Sequence, residues 1–146
     1  MESDRVVEME IFRIVTNDRG GDQRIDLKEK GGRRVLPILI GLFEAEAIRL
    51  QLTGRRLPRP FTHDLLKNTI SELGARVERI VIDELKERTF HAKLVLRTAQ
   101  GESKRIDSRP SDAIALAVRT SAPIFVSPHV LEITGIQSTG TSETKE

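Results

Sequence analysis

Hydrophobic and polar positions change period several times along the chain, and each change marks an element. From Arg5 to Val15 they alternate, with Val7, Met9 and Ile11 on one side and Glu8 and Glu10 on the other, the period of a half-buried strand. A turn with Gly20 and Gly21 follows over Thr16 to Asp22, then a short strand at Arg24 to Leu27 and a second turn at Gly31 and Gly32. The apolar run Val35 to Ile40 suits a buried strand, and Pro37, which lacks a donor, belongs at an edge or a bulge.

The period then lengthens to that of a helix. From Leu42 to Leu52, Ala45, Ile48 and Leu52 share one face, Glu44 lies beside that stripe, and Gly54 stands where a left-handed cap is needed. Gly54 to Pro60 contains Arg55, Arg56 and Arg59 with Pro58 and Pro60 and no acid, so it is an extended basic loop. Thr62 is placed to cap a second helix, with Phe61 and Leu66 as a hydrophobic staple, Leu66, Ile70 and Leu73 as the buried face, and His63 and Asp64 in the first turn. Arg76 to Leu85 and Thr89 to Arg97 form the clearest hairpin, the second strand placing Phe90, Ala92, Leu94 and Leu96 inward and His91, Lys93 and Arg97 outward. Ser103 to Asp107 makes a third strand.

That strand feeds the stretch around which the rest is organised, Ile106 to Arg119. Asp107, Arg109, Ser111 and Asp112 crowd a helix entry, while Ala113 to Val118 carries no polar residue and must be covered on every side. Ser108 or Ser111 is expected to cap the first turn, and Pro110 fits a position that needs no donor. Pro123 to Val126 reads as a short strand, Ser127 and Pro128 open a last helical turn through Ile133, and the polar stretch 134–146 is expected to be disordered. Strand runs interrupted by helices without regular βαβ alternation predict α+β: one domain over 1–133, with a mixed, largely antiparallel sheet and helices packed against it.

Composition narrows the chemistry. At 146 residues, 38% hydrophobic and 32% charged, the chain is long enough for one real core. No apolar run approaches the roughly 18 residues that span a bilayer, and the acidic start is unlike a signal peptide, so a cytoplasmic protein with no membrane partner is expected. Without cysteine, a metal has to sit on carboxylates and histidines. A net charge of +2 does not by itself call for nucleic acid, and five Phe with no Trp or Tyr offer few stacking platforms.

The candidate chemistry lies at two helix entries, His63 with Asp64 and Asp107 with Arg109 and Asp112. If they meet, carboxylates to hold Mg²⁺ or Mn²⁺, an arginine to grip phosphate and a histidine to move a proton near neutral pH make a phosphodiester-cleaving set. A salt-bridged helix entry accounts for Asp107, Arg109 and Asp112 equally well. His91 and His129 read as surface residues.

The segments LPILIGLFEAEAI (Leu36 to Ile48), RPFTHDLL (Arg59 to Leu66), TFHAKLVL (Thr89 to Leu96), IDSRPSDAIALAVR (Ile106 to Arg119) and PIFV (Pro123 to Val126) together resemble the bifunctional nuclease domain family, over roughly Val6 to Leu131. The resemblance implies an α+β domain, often dimeric, whose members are credited with cutting both DNA and RNA. The positions that match its motifs are Glu44, Thr62, His63, Asp64, Asp107, Arg109, Ser111, Asp112 and Arg119. On that basis His63, Asp64, Asp107, Arg109 and Asp112 are the expected catalytic residues. Glu44, Asp107 and Asp112 are the expected ligands of a divalent metal, and Arg55, Arg56, Arg59, Thr62, Ser111 and Arg119 the expected substrate contacts. The leading expectation is a homodimeric nuclease of low sequence specificity acting on DNA and RNA. Its rival is a non-catalytic dimeric module that binds nucleic acid or a small anionic ligand.

Overall fold

A computed structural model describes residues 6–134 and 136–137. Three antiparallel strands come first, β1 (Val7–Val15), β2 (Gln23–Glu29) and β3 (Arg34–Ile40), then helices α1 (Leu42–Leu52) and α2 (Thr62–Glu72). A second antiparallel set follows, β4 (Arg76–Lys86), β5 (Thr89–Arg97) and β6 (Ser103–Ser108), then α3 (Pro110–Thr120), β7 (Ile124–Val126), α4 (Pro128–Thr134) and β8 (Ile136–Gln137). All eight strands join one sheet in the order β6-β5-β4-β7-β1-β2-β3-β8. The short β7 is the seam: it pairs parallel with β4 and antiparallel with β1, fusing the two sets. The α+β single-domain expectation is met.

One face of this sheet carries the core. Met9, Ile25, Leu27, Leu36, Ile38, Ile80, Ile82, Ala92 and Leu94 cluster with Ile114, Leu116 and the alanines of α3. The α3 rod is covered all round, as its unbroken apolar stretch requires: Ala113 to Ala117 are buried. It packs against α1, α2, β4 and β5. The alanines of α3 are therefore covered from within the chain.

Several local expectations shift by a residue or a face. In α1 the buried positions are Ala45, Ile48 and Leu50, with Leu52 half exposed. In α2 Ile70 is buried but Leu73, one residue past the helix, is 80% exposed. Thr62 is the first helical residue of α2 and not its cap. The cap position is Phe61, whose backbone N–H donates to Asp64 Oδ2 at 2.9 Å. Neither Ser108 nor Ser111 caps α3: Arg109 holds the cap position and Pro110 opens the helix. Gly54 has φ +72 and closes α1 as expected, with Gly54 N–H on the Gln51 carbonyl and Arg55 N–H on that of Leu50. Pro37 sits where β3 is open on one side, because β8 reaches only Arg34 and Val35. Thr134, the first residue of the expected tail, ends α4, and Ile136–Gln137 pair with β3. The remainder of the expected tail lies outside the described residues.

Candidate functional site

Three helix openings converge on one cluster. Glu44 comes from the first turn of α1, His63 from the first turn of α2, and Arg109 and Asp112 from the cap and first turn of α3. His63 Nε2 lies 2.9 Å from Asp112 Oδ1. The Arg109 guanidinium forks onto the same carboxylate, Nε to Oδ2 at 2.8 Å and Nη2 to Oδ1 at 3.1 Å, and its Nη1 donates to Glu44 Oε2 at 3.0 Å. His63 and Asp112 stand 49 residues apart in sequence, Glu44 and Arg109 65. The two helix entries singled out in the sequence meet in space.

Electrostatics fix the protonation pattern. Burial pushes the Asp112 carboxyl up, but the hydrogen bonds from Arg109 and His63 outweigh it and hold the group below the ordinary aspartate value. Asp112 is therefore a carboxylate and accepts from both partners. An ionised carboxylate has no proton to give, so His63 donates through Nε2–H, and whenever the ring is neutral its acceptor is Nδ1. Asp112 first, and then Glu44, raises the already high pKa of Arg109, which stays a fixed cation.

Asp64 belongs to a different arrangement. Its Oδ1 takes a 2.8 Å hydrogen bond from Arg119 Nε. Arg119 is not on the surface: its side chain is 3% exposed, and its other nitrogens donate to the carbonyls of Ala115 (2.9 Å) and Ala47 (3.0 Å). It therefore ties α1, α2 and α3 together beneath the cluster, beyond the reach of a substrate. Burial raises the Asp64 pKa, but the Phe61 N–H and then Arg119 reverse the effect and leave it low. The sequence expectation for Arg119 is a substrate contact carried by the family motif. No sequence signal marked it as a buried tether.

Asp107 does not join the cluster. It pairs across the sheet with Lys93, one residue from the core-facing Ala92 and Leu94, so it lies on the face away from the helices. Its side chain is 79% exposed, with Lys93 Nζ at 3.8 Å. The expected metal set of Glu44, Asp107 and Asp112 is thus split. Arg109 bridges the two members that remain near each other, putting a guanidinium where a cation between them would sit. Among the described residues no three His, Asp or Glu side chains are placed to hold a metal ion. The donor set in this arrangement does not fit a resident divalent ion.

Two clefts flank the cluster. The smaller, about 410 Å³, includes Phe43, Phe61, Thr62, His63, Arg109 and Asp112 in its lining. The larger, about 500 Å³, includes Gly41, Arg88, Phe90, Pro110 and the buried Ser111. Glu44 and Arg109 line both, so their ion pair is the divide. Arg55, Arg56 and Arg59 lie exposed on the loop from α1 to α2 and form no ion pair among the described residues. Also among those residues, no helix is long and apolar enough to cross a membrane.

A family model described as the bifunctional nuclease domain matches residues 25–139. An uncharacterized protein of Mycobacterium tuberculosis is 41% identical over 110 residues, 75% of this chain and 65% of its own length. Bifunctional nuclease 2 of Oryza sativa subsp. japonica is 30% identical over 112 residues, and bifunctional nuclease 1 of Arabidopsis thaliana 26% identical over 111. Each of these alignments covers 75% of this chain and 34% of the plant protein.

Proposed function

Because the chain belongs to the bifunctional nuclease domain family, we propose that it hydrolyses phosphodiester bonds of DNA and RNA with low sequence specificity, at the cleft where His63, Asp112, Arg109 and Glu44 meet. The observation that carries this reading is the His63–Asp112 pair with Arg109 forked onto the same carboxylate. Asp112 holds the ring so that His63 Nδ1 takes a proton from the attacking water, and it stabilises the imidazolium that results. Hydroxide adds to phosphorus, the opposite P–O bond breaks, and the leaving oxygen recovers a proton from the imidazolium. Arg109 spends three of its five N–H donors on Asp112 and Glu44, which leaves two for phosphate oxygens. Nothing in the cluster reads a base edge, in keeping with low sequence specificity. The exposed loop arginines Arg55, Arg56 and Arg59 supply general attraction to a polyanion.

A second reading keeps the fold and drops the chemistry: a dimeric module in which the same network only holds nucleic acid or a small anion. It is favoured by the internal closure of the network, where every carboxylate already has a cationic or N–H partner. One assay separates the two. The purified chain is incubated with single- and double-stranded DNA and RNA in Mg²⁺, Mn²⁺ or EDTA, alongside His63→Ala and Asp112→Asn variants of unchanged circular dichroism. Hydrolysis predicts a loss of roughly a hundredfold or more in each variant. Activity equal to the parent's in both variants, or none in the parent, leaves the binding module. The Arg109-bridged carboxylates favour a rate that survives EDTA, and complete dependence on Mg²⁺ or Mn²⁺ would restore the expected metal. Sedimentation at micromolar concentration tests the homodimer.

A further inference from the structure

Two of the five phenylalanines stand at the lip of the His63 cleft with their rings open to solvent: Phe43 is 84% exposed and Phe61 47%. An apolar ring left open to water costs solubility and adds little to the core, and here two of them line one cavity together with His63, Arg109 and Asp112. They come from different elements, Phe43 from the second position of α1 and Phe61 from the cap position of α2. The loop that joins these helices carries Arg55, Arg56 and Arg59, and Arg59 is two residues from Phe61. Aromatic faces beside a cationic track are the two parts of a surface that holds an unpaired strand: the rings stack on bases and the arginines follow the phosphates.

From this juxtaposition we infer that the cleft takes single-stranded nucleic acid, with Phe43 and Phe61 stacking on the bases that flank the phosphate at Arg109. The inference rests on the hydrolase reading only for the site of cleavage, because stacking and its strand preference are properties of binding. A base inside a duplex is already stacked on both faces and cannot lie on a side-chain ring without being pulled out. Duplex therefore binds only through its phosphates.

The test is fluorescence polarisation with a labelled 12-nucleotide thymidine strand, the same strand in duplex, and an abasic strand of equal charge, on the full chain at fixed salt. The parent is expected to bind the ordinary single strand about tenfold tighter than the other two, in the range expected for a stacked base. Phe43→Ala and Phe61→Ala should each erase most of that difference while leaving abasic binding unchanged. Leu73→Ala, an equally exposed truncation outside the cleft, should change nothing. Equal affinity for all three ligands, or a preference that survives Phe43→Ala and Phe61→Ala together, overturns the inference. So does conversion of a dimer to a monomer by Phe43→Ala with no change in strand binding, which would assign the rings to a subunit contact. A strand preference that depends on Phe43 in a chain that cleaves nothing would uphold the inference and refute hydrolysis.

Discussion

Replacing Arg119 by methionine should destabilise the fold while leaving its surface untouched, because the guanidinium is an internal tether between three helices. Methionine keeps much of the aliphatic stem, so the loss is the three hydrogen bonds to Asp64, Ala47 and Ala115 and not a cavity. Their contributions differ. Asp64 remains a third exposed and keeps its bond from Phe61, so its orphaned oxygen is rescued in part by water. The two carbonyls belong to helical residues and lose only a second, charge-assisted donor. Setting about 1 to 2 kcal/mol for the ion pair and about 1 for each carbonyl against relief from burying a cation gives a net loss of about 3 kcal/mol. In a chain of this length that lowers the melting midpoint by roughly 10 °C.

Urea unfolding at pH 7, followed by circular dichroism, measures this directly, with an unchanged slope showing that the two end states are comparable. The double variant with Asp64→Asn should fall short of the sum of the single changes by about 1 to 2 kcal/mol, since both remove one shared interaction. A loss below 1 kcal/mol for Arg119→Met would refute the tether. So would a fully stable variant that binds no nucleic acid, which would return Arg119 to the substrate.

Asp107→Asn should leave any cleavage rate within about twofold, as expected of an exposed group outside the cluster, and a loss of tenfold or more in the nuclease assay would bring Asp107 back into the site. Asp64 and Asp112 both titrate below the ordinary aspartate value in the folded chain, so the stability they contribute is complete above about pH 4 and is lost as the pH falls through their lowered pKa values. Urea midpoints measured across pH should decline on that acid limb, and a decline just as steep in the Asp64→Asn, Asp112→Asn double variant would refute the assignment. A Cβ on Gly41 would run into the Glu44 carboxylate, so Gly41→Ala should push Glu44 off Arg109, lowering cleavage roughly tenfold with little change in the urea midpoint. Unchanged cleavage would mean that Glu44 does not orient the arginine.

What the sequence made legible follows from which forces are local. The inward set Phe90, Ala92, Leu94 and Leu96 of β5 and the polar-free run of α3 are imposed by burial on nearby residues, so the apolar pattern exposed them. The motif segments also led to His63, Arg109, Asp112 and Glu44, which the fold does bring together. What escaped depends on the direction a side chain takes. Asp107 and Arg109 are two residues apart, which in a continuing strand would put them on one face. The chain turns into α3 between them, so Arg109 points into the cluster and Asp107 stays on the far face of the sheet. Arg119 could not be recognised as a tether, because its three acceptors come from α1, α2 and the previous turn of α3, and no spacing rule links those positions. Leu73 continues the apolar stripe of α2 on a helical wheel, but α2 stops at Glu72, so the last position of the stripe faces solvent.

The division of labour among the arginines follows from the same geometry. A phosphate grip that contributes to bond breaking has to be oriented before the substrate arrives, since ordering a free arginine costs up to about 2 kcal/mol of rotamer entropy. Arg109 meets that condition: two carboxylates from different helices hold it, and two donors stay unused. Arg55, Arg56 and Arg59 do not, because they lie exposed on a loop and form no ion pair among the described residues, and screening by salt acts on them first. Raising the salt concentration should therefore weaken strand capture while leaving the rate of the bound strand nearly constant. The carboxylates that orient Arg109 also carry one negative charge more than it neutralises, so capture of a polyanion at the cluster has to overcome repulsion. The three exposed arginines of the loop between α1 and α2, which form no ion pair among the described residues, supply the attraction that condition calls for.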